Sequence, residues 1–95
     1  MQEVLMDGKN WNSPDDLYQA FFSAVGAPSW HGRNFNALRD SICTGRINKI
    51  ELPYLIRIKN YSLIGPAAKI IAAEFIQLIG QLRESGCHVN IKVED

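Results

Sequence analysis

The chain has 95 residues, ten Lys/Arg against ten Asp/Glu, and 46% hydrophobic residues, which suits one small globular domain over residues 1–95 rather than two. Lys69, Glu74, Gln77 and Gln81 interrupt the apolar stretches, so none reaches the roughly 20 residues of a membrane span. No charged segment followed by an apolar run opens the chain, so a secretory signal is not expected and the cytoplasm is the expected compartment.

Glu3-Val4-Leu5-Met6 is a short β-compatible run that stops at the turn-forming pair Asp7-Gly8. Ser13-Pro14-Asp15-Asp16 then reads as a helix start, with Ser13 as cap, Pro14 at the first helical position and the aspartates at the positive end of the dipole. Leu17, Tyr18, Phe21, Phe22 and Val25 recur at helical spacing, and Gly26 offers a left-handed stop. After Pro28 comes the irregular Ser29-Trp30-His31-Gly32-Arg33. Asn34 caps a second helix carrying Phe35, Leu38 and Ile42, which Gly45 would end, and Asn36 and Asp40, four apart, share its polar face.

From Pro53, the run Tyr54-Leu55-Ile56-Arg57-Ile58-Lys59 reads as a second strand, followed by a short helical turn around residues 61–64. Gly65-Pro66 opens the longest helix, whose apolar face is read as Ala67, Ile70, Ile71, Phe75, Leu78, Ile79 and Leu82, with Gly86 as its stop. Cys87, Val89, Ile91 and Val93 alternate with His88, Asn90 and Lys92 as a half-buried strand does. Strands separated by helices imply an α/β fold with a small three-stranded parallel sheet packed with three or four helices.

Cys43 and Cys87 lie 44 positions apart, with no C-x-x-C pairing, and His31 and His88 complete no metal-ligand spacing, so no metal and no cofactor is expected. The residues allow either a disulfide or two buried thiols. Buried thiols are the reading taken, since a chain this apolar builds a core without a cross-link and a reducing compartment disfavours one.

No phosphate-cradling, dinucleotide-binding, serine-elbow or zinc-helix motif is present. A Cys/His nucleophile is conceivable from Cys43 with His31 or from Cys87 with His88, but neighbours such as the second pair point to opposite faces of a strand. A binding protein, not an enzyme, is expected. Trp30 and His31 sit in a glycine-containing loop where exposed aromatics serve recognition, although Trp30 could instead plug the core beneath it. The net charge of zero is unevenly spread. Residues 30–60 hold six basic groups against two acidic ones, while the segments on either side are acidic overall.

The segment Pro28-Ser29-Trp30-His31-Gly32-Arg33-Asn34-Phe35-Asn36-Ala37-Leu38-Arg39-Asp40 resembles the barstar family of intracellular ribonuclease inhibitors. The aromatic-x-Gly-x-Asn-x-x-Ala-Leu-x-Asp string carries the similarity. Leu17-Tyr18, Thr44-Gly45, Pro53-Tyr54-Leu55-Ile56 and Glu84-Ser85-Gly86-Cys87 follow family features in order, so the resemblance covers essentially the whole chain. It implies a barstar-like fold, a three-stranded parallel sheet with helices. It also implies that the second helix and its preceding loop enter a nuclease active site, where an acidic inhibitor surface complements a basic, phosphate-binding pocket.

Carried over by position, the central inhibitory aspartate is similar to Asp40, the loop aromatic to Trp30, the flexible glycine to Gly32 and the helix-start asparagine to Asn34. A contact carboxylate of the family falls at the neutral Asn36. Aromatic contacts fall at Arg39 and near Arg46, and an acidic contact on the long helix falls near Gln81. With His31 and Gly45, these residues form the expected partner-binding set. The replacements turn an acidic face neutral or basic, weakening or reversing attraction to a barnase-like pocket. The resemblance therefore implies an immunity or antitoxin protein for a different toxin, a nuclease, with no membrane and no direct nucleic-acid partner. An inhibitor-derived domain with a partner that is not a nuclease is a third class, and sequence does not separate it from this one. The alternative from composition is a small nucleic-acid-binding module using Arg33, Arg39, Arg46, Lys49, Arg57 and Lys59.

Overall fold

Strand β1, Gln2–Asp7, alternates exposed and buried residues and places Val4 and Met6 inward. The computed structural model describes residues 2–26, 34–43 and 53–95. After a single 3₁₀ turn, Gly8–Asn10, the chain enters α1, Pro14–Val25. Capping there comes mainly from Asp16, whose carboxylate accepts from the backbone N–H groups of Asn12 (2.7 Å) and Ser13 (3.1 Å). Those two donors hold the Asp16 carboxyl below its ordinary value. Gly26 closes α1 at φ 70°, in the left-handed region that glycine reaches without steric cost.

Helix α2 spans Phe35–Cys43, β2 spans Tyr54–Lys59, α3 spans Pro66–Glu84 and β3 spans Val89–Val93, with a second 3₁₀ turn at Tyr61–Leu63. The three strands form a parallel sheet in the order β1-β2-β3, pairing Val4 with Ile56 and Ile56 with Ile91. This α/β architecture agrees with the sequence expectation. Both connections run through helices, as parallel pairing requires.

One sheet face packs under α1 and α3. Val4, Met6, Ile56, Ile58 and Val89 share a buried cluster with Leu17, Phe21, Val25, Ala72, Phe75 and Ile79, and the Phe21 and Phe75 rings lie 5.6 Å apart. Trp11, which sequence periodicity does not single out, is also buried in this cluster. Its carbonyl accepts from the Gly65 N–H at 2.9 Å and so ties the β1–α1 connection to the start of α3. Nearby, a Cβ at Gly8 would lie 2.6 Å from the Ile64 side chain, so glycine is required by close approach.

The other sheet face is polar. Arg57, at its centre, donates to Glu3 (2.8 Å) on β1 and to Glu94 (2.7 Å), the residue that follows β3, and so ties β2 to both sides of the sheet. These bonds raise the guanidinium further above its usual range and lower the Glu94 carboxyl.

Two expectations need correction. The buried face of α3 is Ala68, Ala72, Phe75, Leu78, Ile79 and Leu82, whereas Ile70 is 67% exposed and Ala67 is exposed. Packing Phe75 and Ile79 against the core sets the rotation of the helix, and one and two turns earlier the same face falls on Ala72 and Ala68. Ile70, about 200° around the helix from Ala72, then faces outward. The cysteines are not two buried thiols: Cys43 and Cys87 form a disulfide, with Cα atoms 5.9 Å apart, and Cys43 is exposed while Cys87 is half-buried. Packing of α2 beside the end of α3 brings them within bridging reach.

Candidate partner-binding site

Helix α2 starts as its sequence suggests. The Asn34 side-chain oxygen accepts from the Ala37 N–H at 2.8 Å and the Asn34 carbonyl accepts from Leu38 at 3.0 Å, satisfying donors that a helix start leaves unpaired. Ala37, Leu38 and Ile42 are buried. The opposite face, at i, i+3, i+4 and i+7, presents Asn36, Arg39, Asp40 and Cys43, all exposed. An amide, a guanidinium and a carboxylate therefore stand within one turn. The helix offers donors and an acceptor together, not the uniformly acidic surface expected of an anion mimic.

The end of α3 lies beside this face. Ser85 closes the helix by donating from Oγ to the Gln81 carbonyl (3.1 Å), Gly86 takes φ 99°, and the Cys87 N–H donates to the Leu82 carbonyl at 2.9 Å. Between α2 and this turn runs a groove of about 670 Å³ lined by Arg39, Cys43, Gln81, Leu82, Ser85, Gly86, Cys87 and His88. Beyond the turn, a smaller hollow of about 490 Å³ is bordered by Pro53, Arg83 and Gly86–Asn90. Of the two, the larger groove adjoins the exposed α2 face, with Arg39 and Cys43 in its lining.

The expected set is thus divided. Asn36, Arg39 and Asp40 share the outer face of α2, and the fold brings Gln81 to the same groove as Arg39 despite their distance in sequence. Asn34 is spent on the helix start and acts by positioning α2. Trp30, His31, Gly32, Gly45 and Arg46 lie outside the described residues, as do Arg33 and Lys49 of the basic segment. Sequence reasoning missed Ser85 and His88 as groove residues and the disulfide in its floor. No local signal points to them, since only the packing of α2 against α3 assembles the groove.

Among the described residues no group of three or more His, Cys, Asp or Glu side chains is arranged to hold a metal ion. No helix among them is long and apolar enough to cross a membrane. The basic middle segment is also less available than its composition suggests, because Arg57 is bound by two carboxylates.

Comparison with known proteins agrees with this architecture. The model of the family described as Barstar (barnase inhibitor) matches residues 1–93. No individual curated protein matches the chain. A match over nearly the full length, on a three-stranded parallel sheet with three helices, identifies the chain as a member of the barstar family.

Proposed function

We propose that this protein is an antitoxin or immunity protein of the cytoplasm, an inhibitor rather than an enzyme, that blocks the active site of a cognate nuclease toxin. Binding uses the loop and second helix at residues 29–46, with Gln81 on α3 at the border. The observation that carries this reading is that Arg39 and Asp40 stand exposed side by side on α2, beside an open groove, in a chain of the barstar family. Asp40 would accept hydrogen bonds from Arg, Lys or His groups of the toxin, while Arg39 and Arg46 would meet its acidic catalytic residues. Because the face is mixed in charge, the toxin's pocket is expected to be mixed as well, not simply phosphate-binding and basic.

The test is capture of the partner from the source organism with the intact chain, followed by a nuclease assay on the recovered protein with and without inhibitor. Recovery of a nuclease that the chain silences supports the reading; recovery of a partner without nuclease activity, or capture unaffected by Asp40→Ala and Trp30→Ala, refutes it. The nucleic-acid module is disfavoured by the engagement of Arg57 with Glu3 and Glu94. Salt-steep binding of the purified chain to RNA or DNA would revive it.

A further inference from the structure

The Cys43–Cys87 bond lies on the proposed binding face and not in the core. It joins the last residue of α2 to the turn between α3 and β3, and both cysteines line the groove with Arg39 and Gln81. Helix α2 has nine residues, fewer than the roughly 12–15 that an isolated helix needs to be even marginally stable in water. Among the residues of α2 whose side chains the structure describes, Ala37, Leu38 and Ile42 are buried. The bond is thus a covalent tie between a short recognition helix and the body of the fold, placed where a small reductant reaches it through the groove.

We propose that Cys43–Cys87 is a reversible thiol–disulfide site whose redox state sets the order of α2, with a dithiol oxidoreductase or a glutathione-class thiol as its exchange partner. In reduction, a thiolate of the reductant attacks the exposed Sγ of Cys43. The S–S bond breaks, and Cys87 leaves as a thiolate and takes up a proton. The second reductant thiol then attacks the mixed disulfide and releases Cys43. Two electrons and two protons pass to the protein, and the reductant becomes a disulfide. The Arg39 cation lining the groove favours the departing thiolate.

With the bond closed, Arg39, one turn before Cys43, is held in register with Gln81 across the groove. With it open, the covalent tie at the end of α2 is gone and, among the described residues, the buried Leu38 and Ile42 anchor its second half. The consequence for inhibition rests on the binding role proposed above. A partner seated over the groove covers the bond, so by linkage the factor by which oxidation tightens binding equals the factor by which the partner favours the oxidised form.

The primary test needs no partner: amide hydrogen exchange of the wild-type chain in oxidising and reducing glutathione buffers, with alkylation to count free thiols. Residues 37–43 are expected to exchange at least about tenfold faster in the reduced chain, with β2 and the first half of α3 unchanged, and the doubly substituted Cys43→Ser/Cys87→Ser chain should match the reduced form in both buffers. Equal exchange of α2 in the two states, or failure of the pair to oxidise, overturns the switch. With a captured toxin, affinity should fall about tenfold on reduction, and equal affinities would overturn the coupling to binding. Absence of any captured toxin in both states counts against the inhibitor reading, while hydrogen exchange still decides the switch.

Discussion

Arg57 and Arg39 come from the same basic middle segment, yet the fold uses them in opposite ways. Arg57 stands at the centre of the polar sheet face, bridged to Glu3 and Glu94, and its charge is consumed in tying β2 to β1 and to the end of β3. Arg39 stands on the outside of α2 beside Asp40 and borders the groove. One arginine is cement between strands and the other is exposed at the rim of a groove, where the proposed function places a partner. A count of basic residues cannot distinguish them, which is why the charge of residues 30–60 overstates the case for nucleic-acid binding.

The sharpest way to break this comparison is substitution on the α2 face. Arg39→Glu and Asp40→Ala are each expected to weaken toxin capture about 100-fold or more, as contacts at the centre of an interface do. Both should leave unfolding stability within about 0.5 kcal/mol, because exposed side chains away from packing contribute little to it. Arg57→Met should do the reverse, with capture unchanged and a small loss of stability that shrinks as salt is raised. If Arg57→Met abolished capture, the assignment of the two faces would be inverted.

Reduction of the disulfide comes next. The bond closes a span of 44 residues, for which unfolded-state entropy gives about 4 kcal/mol, and strain or residual structure brings measured values to about 2–4 kcal/mol. Urea denaturation with and without reductant measures it. A loss this size would show the bond acting through the unfolded chain, and no loss would show that closing it costs the native state as much as it gains.

A smaller effect of opposite sign is expected at Tyr54, whose buried hydroxyl has no hydrogen-bond partner among the described residues and whose ionisation is pushed well up by that burial. Tyr54→Phe removes the unpaired polar group and should stabilise the fold by up to about 1 kcal/mol, read as a higher denaturant midpoint.

The smallest effect is the pH dependence of the sheet face. Glu94 is lowered from 4.5, chiefly by the hydrogen bond from Arg57, and Asp7 is lowered from 3.8, chiefly by the side chain of Asn60. A carboxyl depressed in the folded state contributes stability that is fully present above its unfolded value and is lost as pH falls through the folded value. Stability should therefore decline modestly below about pH 4, and Arg57→Met should flatten part of that decline.

Much of the scaffold is legible in the sequence because it depends on neighbours. Pro14 and the acidic first turn mark the start of α1, Gly26 marks its end, and Asn34 begins α2 through a bond to Ala37, three residues on. The alternation of β1 and the β-formers of β2 place the strands, and their separation by helices makes the sheet parallel. The polar face of α2, with Asn36 and Asp40 one turn apart, follows from helical spacing alone.

Other features depend on contacts between distant segments and escaped that reading. The stripe of α3 turned toward Ala68 and Ala72 rather than Ile70, because Phe75 packed against Phe21 in the core fixes the helix rotation more strongly than the hydrophobicity of any one position. The groove, its Ser85 and His88, and the Cys43–Cys87 bond exist only where α2 meets the end of α3. Sequence alone determined the elements, their order and the polar helix of this barstar-family chain, since hydrogen bonds and side-chain periodicity act over a few residues. The tertiary structure decided which arginine is bound between strands and which stands exposed, which face of α3 is buried and which cysteines meet, because packing joins residues that no local spacing relates.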